Sequence, residues 1–161
     1  MVYIIKPATF LKLIRQLGKM KNILKTFAIL FLLVNTSCKA QQMVQTTKDV
    51  YKLKELQKQF FNKPLENVLK EIKPEIKMGY GNNDEGHSYF TFKFITPEQV
   101  KRNEGDEDDR VSLYVYVKEA PIDWNFEKRP KGKELLLTKE DIQKYGNLTV
   151  IRIKVIQPIK E

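Results

Sequence analysis

The chain of 161 residues has one cysteine, one histidine and one tryptophan. A single cysteine excludes an internal disulfide framework. A single histidine excludes a histidine-rich metal site, and no serine or spare cysteine around His87 forms a nucleophile motif. The longest unbroken apolar run, Phe27–Val34, is eight residues. A spanning helix needs about 20, so this run is too short to cross a membrane. Acidic residues are absent from residues 1–38, which carry Lys6, Lys12, Arg15, Lys19, Lys21 and Lys25. The formal charge of +9 comes from 29 basic and 20 acidic residues. Removing those six basic residues leaves 23 against 20, a net of +3 for residues 39–161. The basic character therefore belongs mainly to the N-terminal segment, and it does not point to nucleic acid as a partner.

The order of features near that segment is informative. Lys21 and Lys25 precede the apolar run, the small and polar Asn35-Thr36-Ser37 follow it, and Cys38 comes next. Charged, apolar and small-residue regions in that order make a secretory signal. Val34-Asn-Thr-Ser37-Cys38 resembles the lipobox of bacterial lipoproteins, with Ser37 before the cysteine. Asn35 departs from the family's preference for an apolar residue there. Lys39-Ala40-Gln41 resembles the residues that follow the cysteine in lipoproteins of Bacteroidota, whose lipobox is looser. The resemblance implies that Cys38 receives a diacylglycerol thioether and becomes the mature N-terminus. Two long acyl chains anchor a protein stably without spanning the bilayer. It also accounts for the cysteine count, because lipid would consume the one thiol. The alternative is a buried apolar helix ending near a free core cysteine. Residues 1–37 are then a signal region, with translation expected to start at Met20; the alternative is that residues 1–19 form a long basic n-region. Residues 38–48 read as the lipidated cysteine and a flexible, polar tether. The lack of acids directly after Cys38 tilts the expected location toward the periplasm.

Residues 49–161 read as one α+β domain. Val50, Leu53, Leu56 and Phe60 recur at near-helical spacing, with Asp49 able to cap. Leu65, Val68, Leu69 and Ile72 form a second apolar stripe between Pro64 and Pro74. Tyr80–Gly86 reads as a turn cluster. His87–Ile95 alternates, with Phe90, Phe92 and Phe94 on one face and Tyr89, Thr91 and Lys93 on the other. Thr96-Pro-Glu-Gln99 is a capping box that predicts a short helix to about Arg102. Val111, Leu113, Val115 and Val117 alternate with Ser112, Tyr114, Tyr116 and Lys118. Leu135–Leu137 reads as a short strand, Thr138 caps a brief helix, and Asn147–Ile156 is the last strand. There Ile151, Ile153 and Val155 are expected inward and Arg152 and Lys154 outward. The pattern predicts three or four mostly antiparallel strands with helices on one face, after an N-terminal signal helix.

Three features could carry function. Tyr89, Tyr114 and Tyr116 fall on the sheet face away from the core. The long loop 121–133 holds Trp124 and Phe126, then Lys128 and Arg129, a mix of aromatics and cations suited to recognition. The same aromatics could instead close an edge of the core. Glu104–Asp109 has five carboxylates in six residues but not the order of an EF-hand, so it reads as a solvated loop or a loose calcium site. Nothing calls for a cofactor. The sequence reads as a lipid-anchored envelope protein, not an enzyme, that contacts an envelope protein, peptide or glycan. The alternative is an envelope hydrolase using Asp106, Glu107, Asp108 or Asp109.

Overall fold

The computed structural model describes residues 41–84 and 86–157. The expected signal region 1–37 and Cys38 lie outside them. Among the described residues no helix is long and apolar enough to cross a membrane.

A 3-10 turn at Thr47–Val50 leads into α1 (Tyr51–Glu55), and α2 (Leu65–Leu69) follows after a second 3-10 turn. The strands are β1 (Met78–Asp84), β2 (His87–Lys93), β3 (Ser112–Val117) and β4 (Val150–Ile156). Between them come α3 (Pro97–Arg102) after β2 and α4 (Lys139–Tyr145) before β4. The sheet is a meander in the order β1-β2-β3-β4, antiparallel throughout. This is the α+β domain that the alternation and the two capping signals predict.

Period-2 alternation gives the sheet one apolar face. Phe90 lies opposite Val115, and Phe92 opposite Leu113; Ile153 extends the first row. All four strand-centre residues on β2 and β3 are fully buried. They merge with Val50, Leu53, Leu65 and Val68 of the first helical segments in one core cluster. Phe90 and Phe92 carry the largest share, since truncating a buried phenylalanine costs about 3–5 kcal/mol.

Several expectations are corrected. Residues 42–48 are not a tether. Val44 is fully buried and bridges to Ile72; its N–H donates to the Glu71 carbonyl at 2.9 Å, and its carbonyl accepts from Lys73 N–H at 2.9 Å. The first turn is capped by Thr46, with Asp49 as the reciprocal partner three residues on. A polar, aperiodic sequence hid one apolar residue in the core.

Tyr80–Asp84 is strand, not turn; among the described residues of the stretch, Gly86, at φ 81°, has the turn conformation. Gly79 and Gly81 are there because another segment crosses them. A Cβ on Gly79 would lie 2.8 Å from Leu137 Cβ, and one on Gly81 would lie 2.6 Å from Ile122 Cγ2. Leu135–Leu137 is not a strand, although Gly79 N–H donates to the Leu135 carbonyl at 2.8 Å.

In β4 a register shift at Tyr116/Val117 pairs Val117 with Val150 and Tyr116 with Arg152. Ile151 is thereby pushed out and is 41% exposed, while Val150 takes the inward place. An extra residue at a bulge inverts the alternation beyond it, which a uniform period cannot anticipate.

Both sheet edges are partly covered. On β4, Val150 N–H donates to Lys63 O at 2.9 Å, and Ile153 N–H donates to Gln57 Oε1 at 3.2 Å. On β1, the Asn83 side chain brackets Ile122, accepting from its N–H at 2.7 Å and donating to its carbonyl at 2.8 Å. Such contacts block pairing with another chain.

Two predictions follow from this packing. Gly81→Ala forces the Ile122 segment off β1, and overpacking of this kind costs about 1–3 kcal/mol; urea denaturation reads the loss. Asp49 is held at about 2 against an ordinary 3.8, first by hydrogen bonding from Lys52 and then by the Thr46 backbone N–H. A depressed folded value gives stability that is complete above pH 3.8 and is lost as pH falls through about 2. Asp49→Asn should flatten the decline of the thermal midpoint between pH 4 and pH 2 relative to wild type.

Candidate functional site

The loop aromatics separate. Trp124 is 8% exposed and belongs to the core. Its ring meets Phe90 edge-on at 6.3 Å and Tyr145 at 5.8 Å. The Arg129 guanidinium lies 3.8 Å above the indole centroid, a cation–π contact at close range. Arg129 also forms an ion pair with Asp141 and donates to the Leu136 carbonyl at 2.9 Å. Asp141 is the reciprocal member of the Thr138 capping box of α4. Burial pushes its carboxyl up, but hydrogen bonds from Arg129 and Thr138 outweigh this and hold it below the ordinary range. Trp124 and Arg129 are thus structural members of a clamp that fixes the loop to α4. Phe126 and Lys128 remain exposed at the surface, Phe126 at 41%.

The tyrosines come together as a surface. Strand pairing sets two rows across the sheet, on the face opposite Phe90 and Phe92. One row is Tyr80, Thr91, Tyr114 and Lys154; the next is Asn82, Tyr89, Tyr116 and Arg152. Tyr89 lies 6.0 Å from Tyr114 and 5.0 Å from Tyr116, with tilted rings. Arg152 sits 5.3 Å from the Tyr116 centroid, and His87 meets Tyr116 edge-on at 6.5 Å. Phe126 joins from the side, 6.2 Å from Tyr80. Four of the chain's seven tyrosines therefore share one sheet face. Burial, then the neighbouring Tyr114, pushes the Tyr80 phenol up; burial, then Asp84, does the same to Tyr89. Both stay neutral near pH 7, able to donate and accept hydrogen bonds.

The polar groups between the rings are partly engaged with one another. Asn82 Nδ2 donates to Thr91 Oγ1 at 3.0 Å within the face. No carboxylate among the described residues pairs with Lys93, Arg152 or Lys154. A depression of about 180 Å³ lies at one end, lined by Asp84, His87, Tyr89, Tyr116 and Arg152. Sequence reasoning missed Tyr80, His87 and Arg152. Tyr80 was hidden in glycine-rich sequence, and Arg152, though expected outward, was not linked to the tyrosines because the pairing of β4 with β3 is not written in either strand alone.

The acidic loop is used differently. Asp108 pairs with Lys48 at 2.8 Å, and Asp109 accepts from the Thr47 hydroxyl at 2.7 Å. Asp106 accepts from the Asp108 backbone N–H at 3.0 Å. These acids hold the loop to the first turn of the domain. Among the described residues no three His, Cys, Asp or Glu side chains are grouped as metal ligands.

Comparison of the chain with protein-family models, curated proteins and solved structures finds no match in any of the three.

The clamp generates one prediction. Arg129→Met removes the cation from the buried Asp141, and breaking such a pair costs about 3–5 kcal/mol. The unfolding free energy in urea should fall by that amount, and Asp141→Asn combined with Arg129→Met should lose less than the sum of the single changes.

Proposed function

We propose that the protein is a lipid-anchored module of the cell envelope, not an enzyme, that binds its ligand on the tyrosine face. The observation that carries this reading is the face itself: tilted tyrosine rings, three cations without an acidic partner among the described residues, and neutral phenols between them. Aromatic and arginine side chains dominate recognition surfaces because they contribute large contact area at low entropic cost. A sheet face that only covered a core would not need them.

The N-terminal sequence supports the location. Lys21, Lys25, the apolar run Phe27–Val34 and Ser37-Cys38 follow the order of a lipoprotein signal. With acyl chains on Cys38, the module is a membrane-held protein facing the periplasm. The Gln42 side chain already donates to the Lys70 carbonyl at 2.8 Å. Four Cα steps separate Cys38 from Gln42, a reach of about 14 Å at full extension. The domain therefore works close to the lipid surface and meets ligands that come to the membrane, in preference to distant ones.

The test is sedimentation of the full-length protein with purified envelope material stripped of lipid. Wild type should co-sediment, and Tyr89→Ala with Tyr116→Ala should weaken this roughly tenfold or more, since truncating one aromatic anchor costs about 1–2 kcal/mol. The thermal midpoint of the double variant controls for folding. Undiminished co-sedimentation of a folded double variant contradicts the reading.

A further inference from the structure

We infer that the ligand of the tyrosine face is an acidic polysaccharide, its sugar rings lying on the tyrosines and its acid groups on Arg152 and Lys154. This rests on the proposal that the tyrosine face is a binding surface, and it adds the chemical class of the ligand.

Shape and edge chemistry remove two common modes of peptide recognition. Adding a peptide strand needs a free sheet edge. Here the β4 edge is occupied by Lys63 and Gln57, and the β1 edge by Leu135 and Ile122. Seating an amphipathic helix needs an apolar groove. Among the described residues of β4, the large apolar side chains exposed beyond the aromatics are Ile151 and Ile156, which stand near opposite ends of the strand and form no continuous apolar groove.

What the face does offer is rings and hydrogen-bonding groups in two adjacent rows. A pyranose presents an apolar C–H surface that packs on an aromatic ring, while its hydroxyls reach outward for donors and acceptors. Tyr89 and Tyr116, 5.0 Å apart, supply the rings, and Asn82 and the phenols supply the polar partners. Three strand spacings across the sheet measure about 14 Å, wide enough for more than one sugar ring.

Charge selects among glycans. Among the described strand residues of this face, Lys93, Arg152 and Lys154 stand against one carboxylate, Asp84. Arg152 and Lys154 stand two residues apart on β4, and Asp84, on β1, faces Arg152 across the depression that both line. A guanidinium beside a tyrosine ring can pair with a carboxylate or sulfate while the ring holds the sugar. The polymer's acid groups belong at the β4 side of the face.

The experiment uses full-length protein in detergent micelles. Binding is measured by affinity electrophoresis at physiological salt against polygalacturonate, neutral dextran, poly-glutamate and an oligothymidylate. Polygalacturonate should retard the protein at least tenfold more effectively than each of the others. Tyr116→Ala should reduce that retardation at least tenfold. Arg152→Gln, at an exposed position that leaves the fold intact, should reduce it and narrow the gap to dextran, and Arg152→Lys should restore part of it. Equal retardation by poly-glutamate or oligothymidylate overturns the inference in favour of an acidic peptide or a nucleic acid. Equal retardation by dextran shows a glycan surface without acid selection and also overturns it. No retardation by any probe overturns it too; if the envelope co-sedimentation still depends on Tyr89 and Tyr116, the binding surface stands and only the ligand class fails.

Discussion

The contact on which the rest of the structure depends is Trp124 against Phe90 and Tyr145, held from above by Arg129. Phe90 is the centre of the sheet's apolar face, and Tyr145 is the last residue of α4. Trp124 thus ties β2 to the helix that enters β4. A loop this long loses considerable entropy on ordering. The indole, the cation–π contact and the Arg129–Asp141 pair offset that loss together. The indole Nε1 is buried without a hydrogen-bond partner among the described side-chain atoms, a cost of about 1–3 kcal/mol that the packing exceeds.

This clamp explains the glycines of β1. The ordered loop runs directly over Gly79 and Gly81, at distances that leave no room for a side chain. The same loop supplies the hydrogen bonds that close the β1 edge. The first helical segments, α4 and the loop are committed to one side of the sheet and its margins. The other side is left to tyrosines, and Phe126 at the end of the crossing segment reaches round to join them. One segment therefore both completes the core and extends the candidate binding surface.

The sequence analysis succeeds where local chemistry and tertiary packing agree. β2 and β3 show in strict alternation, and Thr96 and Thr138 announce α3 and α4 because both members of each capping box are local in sequence. It fails where a distant partner decides. Tyr80, Gly81, Asn82 and Asn83 look like a turn until the segment from Ile122 to Leu137 is placed against β1. Ile151 looks like a core residue until the bulge opposite Tyr116 moves Val150 into that place. Val44 is a lone apolar residue in a polar stretch, and only its pairing with Ile72 gives it a role. The tyrosine face was legible in Tyr89, Tyr114 and Tyr116, since period 2 put them together. Arg152 was also expected outward, but Tyr80 needed β1 to be recognised as a strand. Trp124 and Arg129 look in sequence like a recognition pair because aromatics beside cations serve both binding and packing; only Asp141, twelve residues beyond Arg129, distinguishes the two.

A membrane-held module that presents a polar aromatic face depends first on the fate of Cys38. The most direct measurement is the mass of the mature N-terminal peptide from membranes, for wild type and for Cys38→Ala. The account predicts an N-terminal Cys38 bearing diacylglycerol, with both the modification and membrane retention lost in the variant. An unmodified Cys38 inside an intact chain, retained equally with and without the cysteine, would contradict it.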